Sequence, residues 1–293
     1  MISEFSVLPD GSTVREVTLK KGQLEASILT YGAIIRDLKV GGRSVVLGFD
    51  DLQSYVDHSP YFGAIAGRCA NRIAGGKMVI DETAYQLDCN DGGRHHLHGG
   101  AGGFSKRNWQ LEQSDKASVL LKLVSEDGDM GYPGRVETLV RYTLTGAGAL
   151  RVKITPVYLT QHSYFNLGGG PDILDHTLEI AAESYLPADD TLIPTGEIRR
   201  VEWTPYDFRD GRRLKRRSGE ESVVFDNTFC LAGEARQGVE FAAALEDPDG
   251  DRRMEVWTTE PGVHLFDAPW LDIPVPGLGG RTNGPYAGLS LET

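Results

Sequence analysis

The sequence predicts an all-β fold, a large antiparallel β-sandwich, and three observations carry that expectation. Segments that alternate apolar and polar residues recur along most of the chain, which is the period of a half-buried strand. They are rich in Val, Ile, Thr and Tyr and are punctuated by reversals such as Asp91-Gly92-Gly93, Asp127-Gly128 and Asp247-Pro248-Asp249-Gly250. The 36 glycines among 293 residues are about twice the ordinary share, as a fold of many turns requires.

Taken in order, alternation predicts strands over Glu16 to Lys20, Leu24 to Thr30, Val45 to Phe49 and Met78 to Leu87. Further strands follow over Ser118 to Val124, Thr138 to Leu144, Ala149 to Val157, Thr177 to Ile180, Val239 to Leu245 and Met254 to Thr258. Helical period is short, its best run being Leu52 to Val56. No strand–helix–strand rhythm appears, which excludes a doubly wound parallel sheet. No linker, repeat or low-complexity tract divides the chain, so residues 1–293 are expected to form one domain.

Composition narrows the function classes. Hydrophobic residues at 40% and charged residues at 25% are a globular balance, and a chain of this length buries roughly 75% of its unfolded surface. Thirty Lys and Arg against 42 Asp and Glu give a net charge of −12, which argues against a nucleic-acid partner. The one basic cluster, Arg212 to Arg217, lies among Asp207, Asp210, Glu220 and Glu221 and reads as a solvated loop, with an anion site as the alternative. Cys69, Cys89 and Cys230 are too few for a disulfide framework and form no C-x-x-C pair. Neither a signal peptide nor a run of ~18 apolar residues is present. A soluble cytoplasmic protein with no membrane partner is the expectation.

Four segments set catalytic residue types inside apolar sequence. In Gly67-Arg68-Cys69-Ala70-Asn71-Arg72-Ile73, arginine donors and an asparagine that both donates and accepts suit a hydroxyl-rich ligand, or else simply end a strand. In Arg94-His95-His96-Leu97-His98-Gly99-Gly100, a strand would put His96 and His98 on one face and His95 on the other. That supplies at most two metal ligands, with no partner motif for the rest, so hydrogen-bonding histidines or turn polarity fit better. In Gln161-His162-Ser163-Tyr164-Phe165-Asn166, adjacent strand residues face opposite ways, so His162 is a better acid or base than Ser163 is a nucleophile. A core histidine is the alternative. The fourth is Glu292, a carboxylate ending the apolar stretch Tyr286 to Thr293, which alone reads as an edge-strand charge.

Together these segments resemble the aldose 1-epimerase (galactose mutarotase) family. The ordered set includes Pro60-Tyr61-Phe62-Gly63, Gly67 to Ile73, Leu97-His98-Gly99-Gly100, Gly102-Gly103-Phe104-Ser105-Lys106, Gly128 to Gly134 and His162 to Leu167. It continues through Tyr185-Leu186-Pro187, Leu192 to Glu197, Phe225-Asp226 and Leu289 to Thr293. The resemblance implies a galactose-mutarotase-like supersandwich that interconverts α and β anomers of free aldoses such as D-galactose and D-glucose, with no cofactor and no metal. It implies His162 as proton donor and Glu292 as base. Asn71, Arg72, His98 and Asp226 are implied as sugar-binding, with Tyr164 lining the pocket.

Two departures stand out. The family's usual Pro-Gly-Val-Gln is Pro261-Gly262-Val263-His264 here, so His264, and with it Asp267, is expected to alter which hydroxyls are read. The sequence ends at Thr293, where the family usually continues into closing strands, and those strands are expected to be missing. The partner expected is a monosaccharide substrate, with the chain a monomer or weak homodimer. The alternatives are a non-catalytic carbohydrate-binding or regulatory protein on the same fold, and an epimerase of a phosphorylated or unusual aldose.

Overall fold

The structure, a computed structural model, describes residues 1–155, 158–220, 223–234 and 236–293. The end of the Ala149 to Val157 strand (Pro156 and Val157) and Glu221 beside the basic cluster lie outside the described residues. Among those described, every strand pairing is antiparallel and the only α-helix is Leu52–His58. The all-β reading holds. Asp51 caps that helix by accepting from the Ser54 amide at 2.8 Å and the Ser54 hydroxyl at 2.7 Å. No described helix is long and apolar enough to cross a membrane.

The residues group into two compact units, Met1–Ser44 with Gly48–His162, and Val45–Leu47 with Ser163–Thr293. In the first, a five-stranded sheet runs in chain order through Ile2–Val7, Thr13–Lys21, Leu24–Leu29, Ile35–Val40 and Arg43–Ser44. A four-stranded meander runs through Gln110–Ser114, Ser118–Ser125, Val136–Leu144 and Leu150–Thr155. One core joins the two sheets: Val17, Leu19 and Ile28 from one pack with Val119, Leu121 and Val140 from the other. This is why Val136–Leu144 alternates buried and half-buried positions, with only its inward face dry. Each fully buried side chain of this size contributes about 1.5–3 kcal/mol.

In the second unit a six-stranded sheet has the order Tyr164–Phe165, Leu289–Glu292, Gly262–Phe266, Asp226–Cys230, Ser184–Tyr185, Arg199–Arg200. A four-stranded sheet has the order Arg212–Arg213, Thr177–Ile180, Glu240–Glu246, Arg253–Thr258. Aromatic rings fill the interior: Phe208 stands edge-on to Phe225 at 5.1 Å and to Phe229 at 5.9 Å, and Tyr185 stacks on Tyr206 at 4.1 Å. Leu289–Glu292 is buried at all four positions, which requires cover on both faces of that strand.

Three expectations change. Met78 to Leu87 is a hairpin, Lys77–Ile80 against Thr83–Gln86, because Asp81 and Glu82 adopt positive φ and reverse the chain. Val45 to Phe49 is extended but makes a single bridge, Val46 to Phe165. The basic cluster is only partly a solvated loop: Arg213, Lys215 and Arg217 are exposed, whereas Arg212 and Arg216 turn inward. Arg212 is buried and donates to Glu220 at 2.6 Å, and Arg216 is paired with the fully buried Asp267.

Candidate active site

Four of the candidate residues, Asn71, Arg72, His98 and His162, belong to the first unit, and there they come together. The strand Thr160–His162 pairs with Ala64–Ala66 so that His162 lies opposite Ala64, with its carbonyl accepting from Gly63 at 2.9 Å. Its ring is buried and stands edge-on to His98 at 5.2 Å. Tyr61, to which sequence reasoning gave no role, lies 4.5 Å from the His98 ring and 5.7 Å from the His162 ring. Its phenol is pushed above its usual range by burial and, secondarily, by Asp91. Pro60-Tyr61-Phe62-Gly63 marked the spot. Nothing in the sequence signals that Tyr61 takes φ of 69° and packs on both imidazoles.

Asn71 and His98 bind each other across a tight reversal. The His98 amide donates to the Asn71 carbonyl at 3.1 Å, and the Asn71 amide donates to His98 Nδ1 at 3.2 Å. A ring nitrogen that accepts a backbone N–H carries no proton, so His98 is the tautomer with its hydrogen on Nε2, a donor. Arg72, in the strand Arg72–Ile73 paired with His96–Leu97, donates from Nε to Asp91 Oδ2 at 2.8 Å.

The histidine run does not follow strand alternation, because the strand is only His96–Leu97 and His98 has φ of 50°. Each ring has separate work. His95 Nδ1 accepts from the Gly75 amide at 3.1 Å. His96, fully buried, is held by the Asp88 carbonyl and the Tyr132 hydroxyl, each at 2.7 Å. Arg68 spends all its groups on structure: Nε, Nη1 and Nη2 reach Ser125 Oγ and the carbonyls of Ser125, Glu126, Pro133 and Gly134 at 2.7–3.0 Å.

Tyr164, Asp226, His264 and Glu292 belong to the second unit, on neighbouring strands of the six-stranded sheet. The register sets Thr228, His264 and Glu292 side by side in one cross-strand row, and Asp226, Phe266, Ser290 and Tyr164 in another. The rows are two residues apart, so all four candidates lie on one face. Glu292 is 6% exposed and Tyr164 2%. Tyr164 meets Phe266 edge-on at 6.1 Å. On this face is a polar chain in which His264 Nε2 lies 2.8 Å from Asp226 Oδ1 and Nδ1 lies 3.0 Å from Thr228 Oγ1. Sequence reasoning missed Thr228, although its place two residues after Asp226 on a strand was the available signal. Asp267 is not on this face. It is fully buried, pairs with Arg216 and accepts from the Phe225 amide at 3.3 Å, so the expected role in reading sugar hydroxyls is withdrawn. Burial pushes its carboxyl up, and Arg216 pulls it partly back.

The first unit thus collects donors around two imidazoles, and the second collects carboxylates. The sequence profile of the aldose 1-epimerase family matches residues 15–293, a stretch that runs through both units.

The chain belongs to the aldose 1-epimerase family. It is 41% identical to a galactose mutarotase from Bos taurus over 305 residues, covering 99% of this chain and 88% of that one. It is 32% identical to the aldose 1-epimerase of Escherichia coli, covering 100% and 90%. Among solved structures, an aldose epimerase homologue from C. elegans superposes with a TM-score of 0.86 at 28% identity, covering 94% of this chain and 88% of that one. A galactose 1-epimerase from Lactobacillus acidophilus gives 0.83 at 25%, covering 100% and 89%. The galactose-mutarotase-like fold expected from the sequence is therefore the fold of this epimerase.

Proposed function

We propose that this epimerase interconverts the α and β anomers of free aldohexoses, D-galactose or D-glucose, in the cytoplasm, with Glu292 as base and His162 as acid. The observation that supports this reading best is a buried carboxylate and a buried imidazole on strands of a chain matched to the family from residue 15 onward. Burying an ionisable group is costly, and a protein that only bound sugar would need neither.

Mutarotation breaks the bond between C1 and the ring oxygen and re-forms it on the other face. Glu292 takes the proton of the C1 hydroxyl as His162 protonates the ring oxygen, giving the open-chain aldehyde. After rotation about C1–C2 the same groups act in reverse: the hydroxyl that had been the ring oxygen returns its proton to His162 and attacks C1, and Glu292 protonates the carbonyl oxygen. A base and an acid close this cycle, so the chemistry requires no metal or nucleotide. The Nε2–H of His98, Arg72 and the Asn71 side chain serve as donors that hold the ring oxygen and hydroxyls where charge develops. Asp226 accepts from sugar hydroxyls, and Tyr164 supplies wall.

Anomer exchange measured by polarimetry or NMR on freshly dissolved α-anomers tests this. Glu292→Gln and His162→Asn should each lower kcat by ~10²–10⁴-fold with KM within about threefold. A wild type that does not accelerate exchange, or two variants at full rate, overturns the reading in favour of a binding protein.

A further inference from the structure

The family resemblance read from the sequence led to the expectation that His264 alters which sugar hydroxyls are read. Its surroundings assign it other work. Its two ring nitrogens are held by two residues of one adjacent strand, Nε2 by the Asp226 carboxylate at 2.8 Å and Nδ1 by the Thr228 hydroxyl at 3.0 Å. An ionised carboxylate only accepts, so Nε2 carries the hydrogen and donates to Asp226. The ring is mostly buried, its side chain 13% exposed against 11% for Asp226, so neither group swings freely in solvent. In register, His264 lies directly opposite both Thr228 and Glu292. Reaching a sugar with either nitrogen would break one leg of this clamp.

We propose that His264 is a positioning residue that aims the Asp226 carboxylate at a substrate hydroxyl, with Thr228 locking the imidazole in place. The proposal rests on the mutarotase reading above for its substrate class, a free aldose. It deepens that reading by dividing the face in two: Asp226 touches sugar, and His264 acts only through Asp226. The ring, clamped at both ends, fixes the direction of the Asp226 carboxylate.

A double-mutant cycle separates this from direct contact. His264→Leu should raise KM for galactose about tenfold with kcat within about threefold, because a hydrogen bond to a charged group is lost from binding and not from proton transfer. His264→Gln keeps an amide donor for Asp226 and should stay within about threefold of wild type. In an Asp226→Asn background His264→Leu should change KM by less than about twofold, since the carboxylate it aims is gone. Additive losses in that background show that His264 holds sugar itself and overturn the proposal. A collapse of kcat in His264→Leu, with KM unchanged, places it in the chemistry and also overturns it. Should His264→Leu not fold by thermal melt, Thr228→Val carries the test, with an expected threefold rise in KM in the wild type and none in Asp226→Asn. If wild type shows no anomer exchange, the mutarotase reading fails. The same cycle read as galactose affinity by NMR titration then decides the role of His264 on its own.

Discussion

In the first unit, three of the residues brought together ride on irregular backbone: Asn71, His98 and Tyr61 have φ of 57°, 50° and 69°. In the second, Asp226, His264 and Glu292 sit on three adjacent strands, and register alone brings them to one face. The first arrangement is held by close backbone approach and by carbonyls that Arg68 gathers from residues 125–134. The second is held by polar and charged pairs, Asp226 with His264 on the sheet and Arg216 with Asp267 beside it. The difference predicts distinct weaknesses. Steric changes should break the first unit's site, and changes of charge should break the second's.

The largest effect is expected at Gly99. Its φ is 85°, and a Cβ there would lie 1.7 Å from the Gly67 carbonyl oxygen, a backbone atom that cannot step aside. Gly99→Ala should cost more than about 4 kcal/mol, a large share of the roughly 5–15 kcal/mol by which a protein of ordinary stability is folded. Urea titration followed by circular dichroism measures it. A cost below about 1 kcal/mol would show that the loop gives way easily, and the contrast between the two regions would lose its basis.

The next effect belongs to the sheet. Arg216 pairs with Asp267, donates to the carbonyls of Val223 and Leu214 at 2.8 Å, and lies 4.3 Å from the Phe225 ring centre. Asp267→Ala leaves that guanidinium buried without its counter-charge, and removing one partner of such a pair costs about 3–5 kcal/mol. Because Asp267 also holds the Phe225 amide, next to Asp226, the same variant should weaken sugar affinity. Denaturant titration and galactose titration of one preparation read both losses. Lost stability with unchanged affinity would confine the pair to a structural role.

This contrast also explains what could be read in advance. Strands such as Thr177–Ile180 and Ser118–Ser125 were legible because one wet and one dry face impose period two. The candidates on the six-stranded sheet were not legible that way: Asp226 and His264 came from the family resemblance, and no strand was expected over Asp226–Cys230 or Gly262–Phe266. The His95–His98 run misled because alternation assumes a strand, and a positive φ at His98 ends it after two residues. Arg68 and Arg72 look alike in sequence, yet one binds backbone carbonyls and the other Asp91. Those partners lie 19 to 66 residues away, beyond any local pattern. The Arg216–Asp267 pair was hidden likewise, 51 residues apart within what composition presents as a solvated basic loop.

The smallest expected effect is a pH dependence in the second unit, centred on His176. Its ring is 1% exposed, and Nε2 accepts from the Leu167 and Gly168 amides, each at 3.2 Å, fixing the turn that follows Tyr164–Phe165. With Nε2 accepting, the proton of the neutral ring sits on Nδ1, a buried atom that makes no well-formed hydrogen bond. A second proton would have to go on Nε2, where it would break both amide bonds in a site that water does not reach. Burial therefore holds the imidazole below its ordinary value of 6.5, although Asp247, Asp172, Asp175 and the Ile173 backbone pull the other way. The sign follows from proton counting. Below pH 6.5 the unfolded chain binds a proton that the folded chain refuses, so stability falls as pH drops from 6.5 toward the lower folded value, and is unaffected above it. The slope from one such group is at most about 1.4 kcal/mol per pH unit. Urea titrations at pH 7.5 and 5.5 should therefore show a loss in wild type that His176→Gln reduces by about 1 kcal/mol, since Gln offers the turn an acceptor that does not titrate. Equal losses in both proteins would mean that His176 is charged in the fold and that the turn is held by something else.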